Sequence, residues 1–244
     1  MRTEVKLSKR LERIASFVQP GSRVADIGTD HGYVPIWLVQ KGVCPSALAM
    51  DVRKGPLSRA TENIALAGLA DKIETRLSDG VAKLQPGEAD SVVIAGMGGE
   101  LIIKILENGR HMWDSVKQWV LSPQSEIFKV RRWLFENGFV IRKEDMILED
   151  GKFYTVMDVR REKDADSEGK TVDPDVLSLS EDSRMLYGDY LIRTKNPVLL
   201  TYLKEEEAKI LRFIGDLSAK AGDSGRAAER LSELKLQLKE NQEV

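Results

Sequence analysis

Aspartates and glycines are concentrated where four apolar segments of this chain end. The densest group is the stretch DIGTDHGY at residues 26–33, which follows an apolar run. Asp51 ends the run ALAM, Asp79 lies in LSDG, and Gly96 opens GMGG. Carboxylates attract cations and accept hydrogen bonds from hydroxyl and amino groups, whereas glycines let the backbone approach a ligand closely. These turns therefore predict a site for a ligand that carries positive charge and hydroxyl groups.

The first turn argues against a dinucleotide. A dinucleotide-binding turn reads G-x-G-x-x-G and leaves a helix N-terminus free for the pyrophosphate. Here the pattern is D-x-G-x-x-x-G, and the carboxylate of Asp26 would repel a pyrophosphate. S-adenosyl-L-methionine carries an ammonium and a sulfonium but no phosphate, so it fits this turn better. Asp51 could hold ribose hydroxyls of either ligand, so only the first turn separates them.

We therefore expect the four turns to bind S-adenosyl-L-methionine as cofactor. The alternative is purely structural: turn glycines, Asp26 as a helix N-cap, Asp51 as a strand end, and Met97 as packing. The expected cofactor-binding residues are Asp26, Gly28, Thr29, Gly32, Asp51, Val52, Asp79, Gly80, Ala95, Gly96, Met97, Gly98 and Gly99.

Composition limits the classes of protein to consider. The chain has 244 residues, of which 42% are hydrophobic and 31% charged, and this is enough for a full-sized globular domain with a smaller addition. A net charge of -2 gives no general attraction to nucleic acid. One cysteine and two histidines are too few soft ligands for a zinc site, so we expect no metal. With no long apolar run and no signal-like N-terminus, we expect a cytoplasmic protein without a membrane segment.

The elements that must position these turns alternate along the first 160 residues. Five strand candidates, interleaved with helical patterns, predict an α/β fold with a Rossmann-like, mostly parallel sheet. Two further strand candidates flank Asp150-Gly151 and predict a terminal antiparallel hairpin. The strand candidates are 23–27, 46–51, 73–77, 91–95 and 119–122, then 139–148 and 152–159; the helical patterns are 7–18, 34–40, 56–67, 101–108 and 125–137.

The remainder of the chain has a different character. A charged run over 160–170 indicates a boundary, so we expect a catalytic domain over 1–160 and a helical domain over 161–244. Apolar residues from Leu199 to Leu217 and from Leu231 to Leu238 have helical spacing, with a break at 221–225. This pattern predicts an antiparallel, coiled-coil-like helical hairpin.

Four segments carry a resemblance to a known family. The segments IGTDHGYVPI, MDVRKGPLSRA, LSDG and IAGMGGELI resemble the bacterial methyltransferases that modify N1 of adenine 22 in tRNA. The likeness covers residues 5–160 by motif and continues to the C-terminus by layout. It implies methyl transfer from S-adenosyl-L-methionine, a Rossmann-like catalytic domain and a coiled-coil-like helical domain.

The resemblance also implies that Asp30, His31 and Tyr33 lie near the target base as catalytic residues. We expect Tyr33 to stack on the adenine or donate to it, and Asp30 to accept from its amino group. His31 has an alternative role in binding backbone. Ser122, Pro123 and Gln124 are expected to line the base pocket, although Ser122 could instead cap a helix. The four tryptophans are expected in the core.

tRNA is the expected partner, bound through local basic patches. Basic residues along a helix can follow phosphates, although such runs are often only a solvated face. The C-terminal hairpin could clamp tRNA or mediate another interaction, and the oligomeric state stays open. The expected RNA-binding residues are Lys6, Lys9, Arg10, Arg13, Lys129, Arg131 and Arg132.

Other functions remain compatible with the sequence. The same fold could methylate a small molecule or a protein, which a test of tRNA as methyl acceptor would distinguish. A non-catalytic cofactor-fold protein is disfavoured by the intact acidic and glycine turns. A nicotinamide oxidoreductase is disfavoured by Asp26.

Overall fold

The computed structural model describes residues 4–162, 179–220 and 225–244, and it divides the chain into two compact units, Met1–Gly169 and Lys170–Val244. The predicted domain boundary at residue 160 stays a prediction. The part of the charged run beyond residue 162 and the predicted break at 221–224 lie outside the described residues.

Within the described part of the first unit, seven strands form one sheet in the order β3-β2-β1-β4-β5-β7-β6. Strands β1 to β5 are parallel, and β7 is antiparallel to both of its neighbours. This confirms the Rossmann-like sheet with a terminal hairpin. The strands are β1 (Val24–Ile27), β2 (Ala47–Asp51), β3 (Ile73–Leu77), β4 (Ser91–Met97), β5 (Gln118–Pro123), β6 (Phe139–Glu149) and β7 (Lys152–Arg161).

Helices follow β1, β2 and β4, because a parallel neighbour can be reached only by a crossover, whereas the connection from β3 to β4 consists of turns. Alternate strand residues enter two apolar clusters: Ile94 and Leu121 belong to one, Val93 and Val120 to the other. Trp119 is fully buried, as expected of a core tryptophan. The helices of this unit are α1 (Lys9–Phe17), α2 (Tyr33–Gln40), α3 (Lys54–Leu66), α4 (Gly99–Asn108) and α5 (Ile127–Glu136).

The described residues of the second unit, 179–220 and 225–244, are mainly helical. They contain α6 (Glu181–Tyr187), α7 (Asp189–Arg193), α8 (Pro197–Lys220) and α9 (Gly225–Gln242). Asn241 near the end of α9 donates to the carbonyl oxygen of Leu203 near the start of α8, so the two long helices run antiparallel. The predicted helical hairpin is confirmed, whereas the short helices α6 and α7 were not predicted.

Two absences concern the described residues alone. None of their helices has the length and apolar character that a bilayer crossing requires. Nor do they contain a cluster of three or more His, Cys, Asp or Glu side chains arranged to hold a metal ion.

Candidate active site

A cavity of about 600 Å³ lies at the carboxyl ends of β1, β2 and β4, next to the turn that follows β3. This is the edge where open parallel sheets bind ligands, and the volume is in the range of small-molecule sites. Most of the predicted site residues line it. They are Asp26, Gly28, Thr29, Asp30, His31, Tyr33, Asp51, Val52, Asp79, Gly80, Ala95, Gly96 and Met97.

The loop after β1 is held in an unusual conformation. Gly28, Asp30 and Gly32 all have positive φ, between 47° and 74°. The backbone N–H groups of Gly28 and Thr29 both donate to the carbonyl oxygen of Met50 in β2, at 2.8 and 3.0 Å. Glycine adopts this left-handed conformation without strain, whereas in Asp30 the conformation costs about 1 kcal/mol of backbone free energy. Backbone strain of this kind is common in functional loops. Asp30 and His31 in this loop both line the cavity.

Asp26 provides a buried carboxylate beneath this loop. It lies in the middle of the sheet, paired in register with Ala49 and Val93, and is 6% exposed. Burial raises the pKa of Asp26 to about 6, the Thr29 hydroxyl opposes that rise, and the Asp51 carboxylate adds to it. Few groups of the protein stabilise the charged form of this buried carboxylate, so a cationic ligand would stabilise it.

Asp51 and the turn after β3 form the next part of the wall. Asp51 is also buried, and its Oδ1 accepts from the backbone N–H of Arg53 at 2.8 Å. Ser78 fixes the turn by donating to the carbonyl oxygen of Gly80 and accepting from Lys83 N. The exposed Asp79 is thereby presented at the cavity.

The glycine segment 96–99 spans the end of β4 and the start of α4. Gly96 has a φ of +79° at a bulge, and a Cβ on Gly28 would meet Met97 Cε at 2.2 Å. Gly98 is the N-cap of α4 and Gly99 its first residue, and neither lines the cavity. A Cβ on Gly99 would lie 2.7 Å from the carbonyl oxygen of Ser125, so Gly99 permits backbone packing. Gly32, which precedes α2, is likewise outside the lining.

Two aromatic rings form a platform at the cavity. The rings of His31 and Tyr33 stack with centroids 5.2 Å apart and an interplanar angle of 10°. Tyr33 is 41% exposed, so its ring is accessible to a ligand. His31 Nε2 lies 3.8 Å from Asp30 Oδ2, and its carbonyl oxygen accepts from Asn63. The structure thus brings the three expected catalytic residues together.

Sequence reasoning missed part of the lining. Gln124 was expected there and is found there, but Ser122 and Pro123 are buried within β5 and do not line the cavity. Contacts from α1 and α4 depend on tertiary packing and had no local signal in the sequence. The lining residues not assigned to the site beforehand are Leu11, Ile27, Val34, Arg53, Ser78, Leu101 and Ile105, and Arg10 had been assigned to RNA instead.

The predicted RNA-binding residues are divided between several environments. Arg131 requires a correction: it is 4% exposed and pairs with the buried Glu144 at 2.7 Å, so it cannot reach RNA. Lys6 is exposed, Lys9 donates to the Leu148 carbonyl oxygen, and Arg13 pairs with Asp145.

The remaining basic residues lie on α5. Lys129 is exposed and pairs with Glu100 at 2.6 Å. Arg132 is half-buried.

The residues of the cavity fit S-adenosyl-L-methionine. Aspartates 26, 30, 51 and 79 line the cavity, against two arginines at positions 10 and 53. This excess of acidic groups suits a ligand with an ammonium and a sulfonium and opposes a pyrophosphate. Gly28 and Met97 both line the cavity, and a side chain at position 28 would meet Met97 there.

Comparisons with known proteins agree with this geometry. Residues 7–157 match the family model described as a methyltransferase domain. The chain is 34% identical over 232 residues, covering 95% of this chain and 93% of the relative, to the tRNA (adenine(22)-N(1))-methyltransferase of Bacillus subtilis.

Solved structures give the same result. The crystal structure of the B. subtilis tRNA methyltransferase TrmK superposes with a TM-score of 0.84 at 32% identity, covering 98% of this chain and 99% of that one. Sp1610 of Streptococcus pneumoniae, solved in complex with S-adenosyl-L-methionine, has a TM-score of 0.77 at 32% identity, covering 96% and 100%. This chain belongs to the family of tRNA (adenine(22)-N(1))-methyltransferases.

Proposed function

We propose that this protein transfers a methyl group from S-adenosyl-L-methionine to N1 of adenine 22 in tRNA. One observation carries the proposal: the His31–Tyr33 platform and Asp30 share a single cavity with the buried acidic strand ends. A base site next to a site for a cationic cofactor is the arrangement that methylation of a nucleobase requires.

The chain's residues would hold the cofactor through charge and hydrogen bonding. Asp26 would face its ammonium, Asp51 its ribose hydroxyls and Asp79 its adenine amino group, while the Gly96 region would leave room beside Met97. When bound, the cofactor supplies an electrophilic methyl group on a positively charged sulfur. Asp26 and Asp51 are buried, so water competes weakly with these contacts.

The platform would prepare the target base. N1 lies on the Watson–Crick edge, so the adenine must leave its stack before it can react. Tyr33 offers an exposed ring on which a base can stack, and stacking contributes about 1 to 3 kcal/mol. Asp30 would accept from the exocyclic amino group and stabilise the positive charge that develops on the ring. Adenine N1 has an in-plane lone pair, so positioning supplies much of the rate without a strong general base.

Surface cations would orient the tRNA. The exposed Lys6, Lys9 and Arg13 belong to the same segment as Arg10, which reaches the cavity. Lys129 and Arg132 on α5 are second candidates. These contacts would go to phosphates and would set position more than sequence preference.

The test is methyl transfer from labelled S-adenosyl-L-methionine to unmodified bacterial tRNA. Nucleoside mass spectrometry should find N1-methyladenosine, and reverse transcription should stop at position 22. A tRNA with guanine at position 22 is the matched control and should accept no label. Label on a small molecule or a protein, with none on tRNA, would refute the proposal and support the alternative substrate classes.

Variants then test the site. Tyr33→Ala and Asp30→Ala should lower the single-turnover rate at saturating tRNA and cofactor by about 10- to 1000-fold. Tyr33→Phe separates stacking from hydrogen bonding because it keeps the ring and removes the hydroxyl. Unchanged rates in all three variants would remove these residues from the chemistry.

A further inference from the structure

Gln124 carries the only carboxamide among the described residues that line the cavity. Its side chain is exposed, and no hydrogen bond joins its amide to another residue that the structure describes. A carboxamide offers two N–H donors and an acceptor oxygen within one rigid plane. Gln124 therefore presents the cavity with an uncharged group that can donate and accept at the same time.

The backbone around Gln124 is tied to the glycine segment 96–99. Its N–H donates to the carbonyl oxygen of Met97 at 2.9 Å, and the N–H of Gly99 donates to the carbonyl oxygen of Ser125 at 3.1 Å. A Cβ built on Gly96 would lie 4.0 Å from Gln124 Nε2, so the carboxamide lies beside the bulge of β4. Gln124 thus extends from a fixed loop, and a side chain on such a support loses less entropy when it binds.

The glycine segment itself has little to offer a base through side chains. Three of its four residues are glycines, and Met97 contributes only a thioether, which is a weak acceptor. Nothing in the segment distinguishes an amino group from a carbonyl group on a bound ring. At this wall of the described cavity, Gln124 supplies the side-chain donor and acceptor.

The geometry of the reaction decides which edge of adenine 22 is left for Gln124. N1 must point toward the methyl group of the cofactor, and N9 carries the ribose that connects the base to the tRNA chain. Under the proposed function, Asp30 accepts one hydrogen of the amino group. The other amino hydrogen and N7 remain, and they lie side by side on the Hoogsteen edge as a donor and an acceptor. A carboxamide matches such a pair with two hydrogen bonds.

We propose that Gln124 binds the Hoogsteen edge of adenine 22 and selects adenine over guanine. Its Nε2 donates to N7, and its Oε1 accepts from the amino group. Guanine presents two acceptors on this edge, N7 and O6, so either orientation of the carboxamide leaves its oxygen facing an acceptor. This inference rests on the proposed function, since it assumes that adenine 22 is the target.

The test removes N7 from the substrate and the amide from the enzyme. Single-turnover rates are measured at saturating cofactor, with enzyme in excess over tRNA but below its Kd, on full-length tRNA carrying adenine or 7-deazaadenine at position 22. For the full-length wild type, 7-deazaadenine should lower the rate by about 10-fold. Gln124→Ala should lower the rate on adenine by about 10- to 100-fold and show no further loss with 7-deazaadenine.

Gln124→Glu gives a change of sign that a purely structural role would not produce. Its carboxylate still accepts from the amino group, but it repels N7. The variant should therefore methylate 7-deazaadenine faster than adenine, because 7-deazaadenine has a C–H in place of N7. The wild type should show the reverse order.

Gln85→Ala is the matched control, since Gln85 is an exposed glutamine outside the cavity lining. It should keep the wild-type rates on both substrates. An unchanged rate on adenine in Gln124→Ala, or an equal penalty for 7-deazaadenine in this variant and the wild type, would overturn the inference. Binding of S-adenosylhomocysteine that weakens as much as the rate falls would also overturn it and assign Gln124 to the cofactor. If the wild type left adenine 22 unmethylated, the proposed function would fail, and the inference with it.

Discussion

Asp26 places a carboxylate at a position where its charge lowers the stability of the fold. Its carboxylate is buried in the sheet, where a charge is expensive, and its pKa is raised to about 6. Nothing in the packing of β1 needs a charge at this position, because the other strand residues Val24, Ala25 and Ile27 are apolar and buried. Under the proposed function, the carboxylate would face a ligand that brings its own positive charge.

The first prediction concerns the pH dependence of ligand binding. S-adenosylhomocysteine, which keeps the ammonium, should bind more weakly as the pH falls from 7 to 5, because Asp26 becomes protonated near pH 6. Asp26→Asn should bind about 10- to 100-fold more weakly at pH 7 and lose this dependence. Calorimetry across pH 5 to 7.5 measures both. Asp71→Asn, at an exposed position, should keep the wild-type profile; a pH profile shared by all three proteins would contradict the assignment.

The second prediction concerns the stability of the ligand-free protein. The folded state raises the pKa of Asp26 from 3.8 to about 6, so the folded state holds the proton more tightly than the unfolded state. Its contribution to the free energy of unfolding is favourable at low pH and is lost as the pH rises from about 4 through about 6.

Asp26→Asn should therefore be more stable than the wild type at pH 7, by about 1 to 3 kcal/mol. Urea unfolding at pH 4 and pH 7 measures the difference, which should shrink at pH 4. A variant less stable than the wild type at pH 7 would show that the carboxylate is satisfied in the folded protein.

At the residue scale, the sequence predicts side chains whose position follows from a strand end. Asp26, Asp51 and Asp79 could be placed because the carboxyl ends of parallel strands share one edge of the sheet. Arg10 could not, since its environment depends on Tyr154, which is distant along the chain. Arg131 could not either, because a basic residue on an amphipathic helix gives no sign that a buried Glu144 will face it.

At the scale of elements, the β1–α2 loop is the part of the fold that the site depends on most. Its glycine spacing predicted a tight turn, and the positive φ angles of Gly28 and Gly32 confirm one. The two bonds to the Met50 carbonyl oxygen fix the loop to β2, so the loop and Asp51 are held in one frame. A rigid frame of this kind holds the side chains that contact the two ends of a bound ligand at a fixed separation.

The third prediction separates backbone conformation from close approach. Gly28 and Gly42 have φ angles of +74° and +68°, but a Cβ would meet Met97 Cε at position 28 and nothing within 4 Å at position 42. Alanine at either position should lower the free energy of unfolding by about 1 to 2 kcal/mol.

Gly28→Ala alone should also weaken S-adenosylhomocysteine, because the new methyl displaces the flexible end of Met97, which lines the cavity. Thermal unfolding and calorimetry measure the two effects. Equal ligand affinity in the two variants would mean that Met97 moves away from the cavity.

The strands and helices were largely predictable from the sequence, but the order of the strands within the sheet was not. Asp150 and Gly151 both have positive φ, as a two-residue hairpin turn requires, and the expected hairpin forms around them. Local pattern cannot reveal that β7 inserts between β5 and β6, because that choice depends on which edge of the sheet is free. The extension of β4 to Met97 through a bulge was also missed, since Gly96 indicated the strand's end.

At the scale of the whole molecule, a negative net charge has to be compatible with binding of a negatively charged tRNA. A net charge of -2 does not attract RNA, so tRNA affinity must come from local clusters. The cavity lining lies between Arg10 and Gln124, within the first unit, and the exposed Lys6 and Lys9 adjoin its Arg10 wall along the chain. A cluster at this place would bind phosphates near the target base.

The last prediction tests that cluster by its dependence on salt. Each phosphate contact that is lost removes about 0.7 to 0.9 from the slope of log affinity against log salt concentration. Replacing Lys6 and Lys9 together by alanine should therefore lower the slope for tRNA by about 1 to 2 and leave S-adenosylhomocysteine binding unchanged.

Lys72→Ala is the matched control, because Lys72 is an exposed lysine just before β3, at the opposite end of the strands from the cavity. Fluorescence anisotropy with labelled tRNA at several salt concentrations gives the slopes. The Lys72 variant should keep the wild-type slope, because a lysine there is too far from the cavity's edge to meet the same phosphates. If instead the two proteins lost the same slope, tRNA would be attracted by the general field of the surface, and α1 would have no special part in docking.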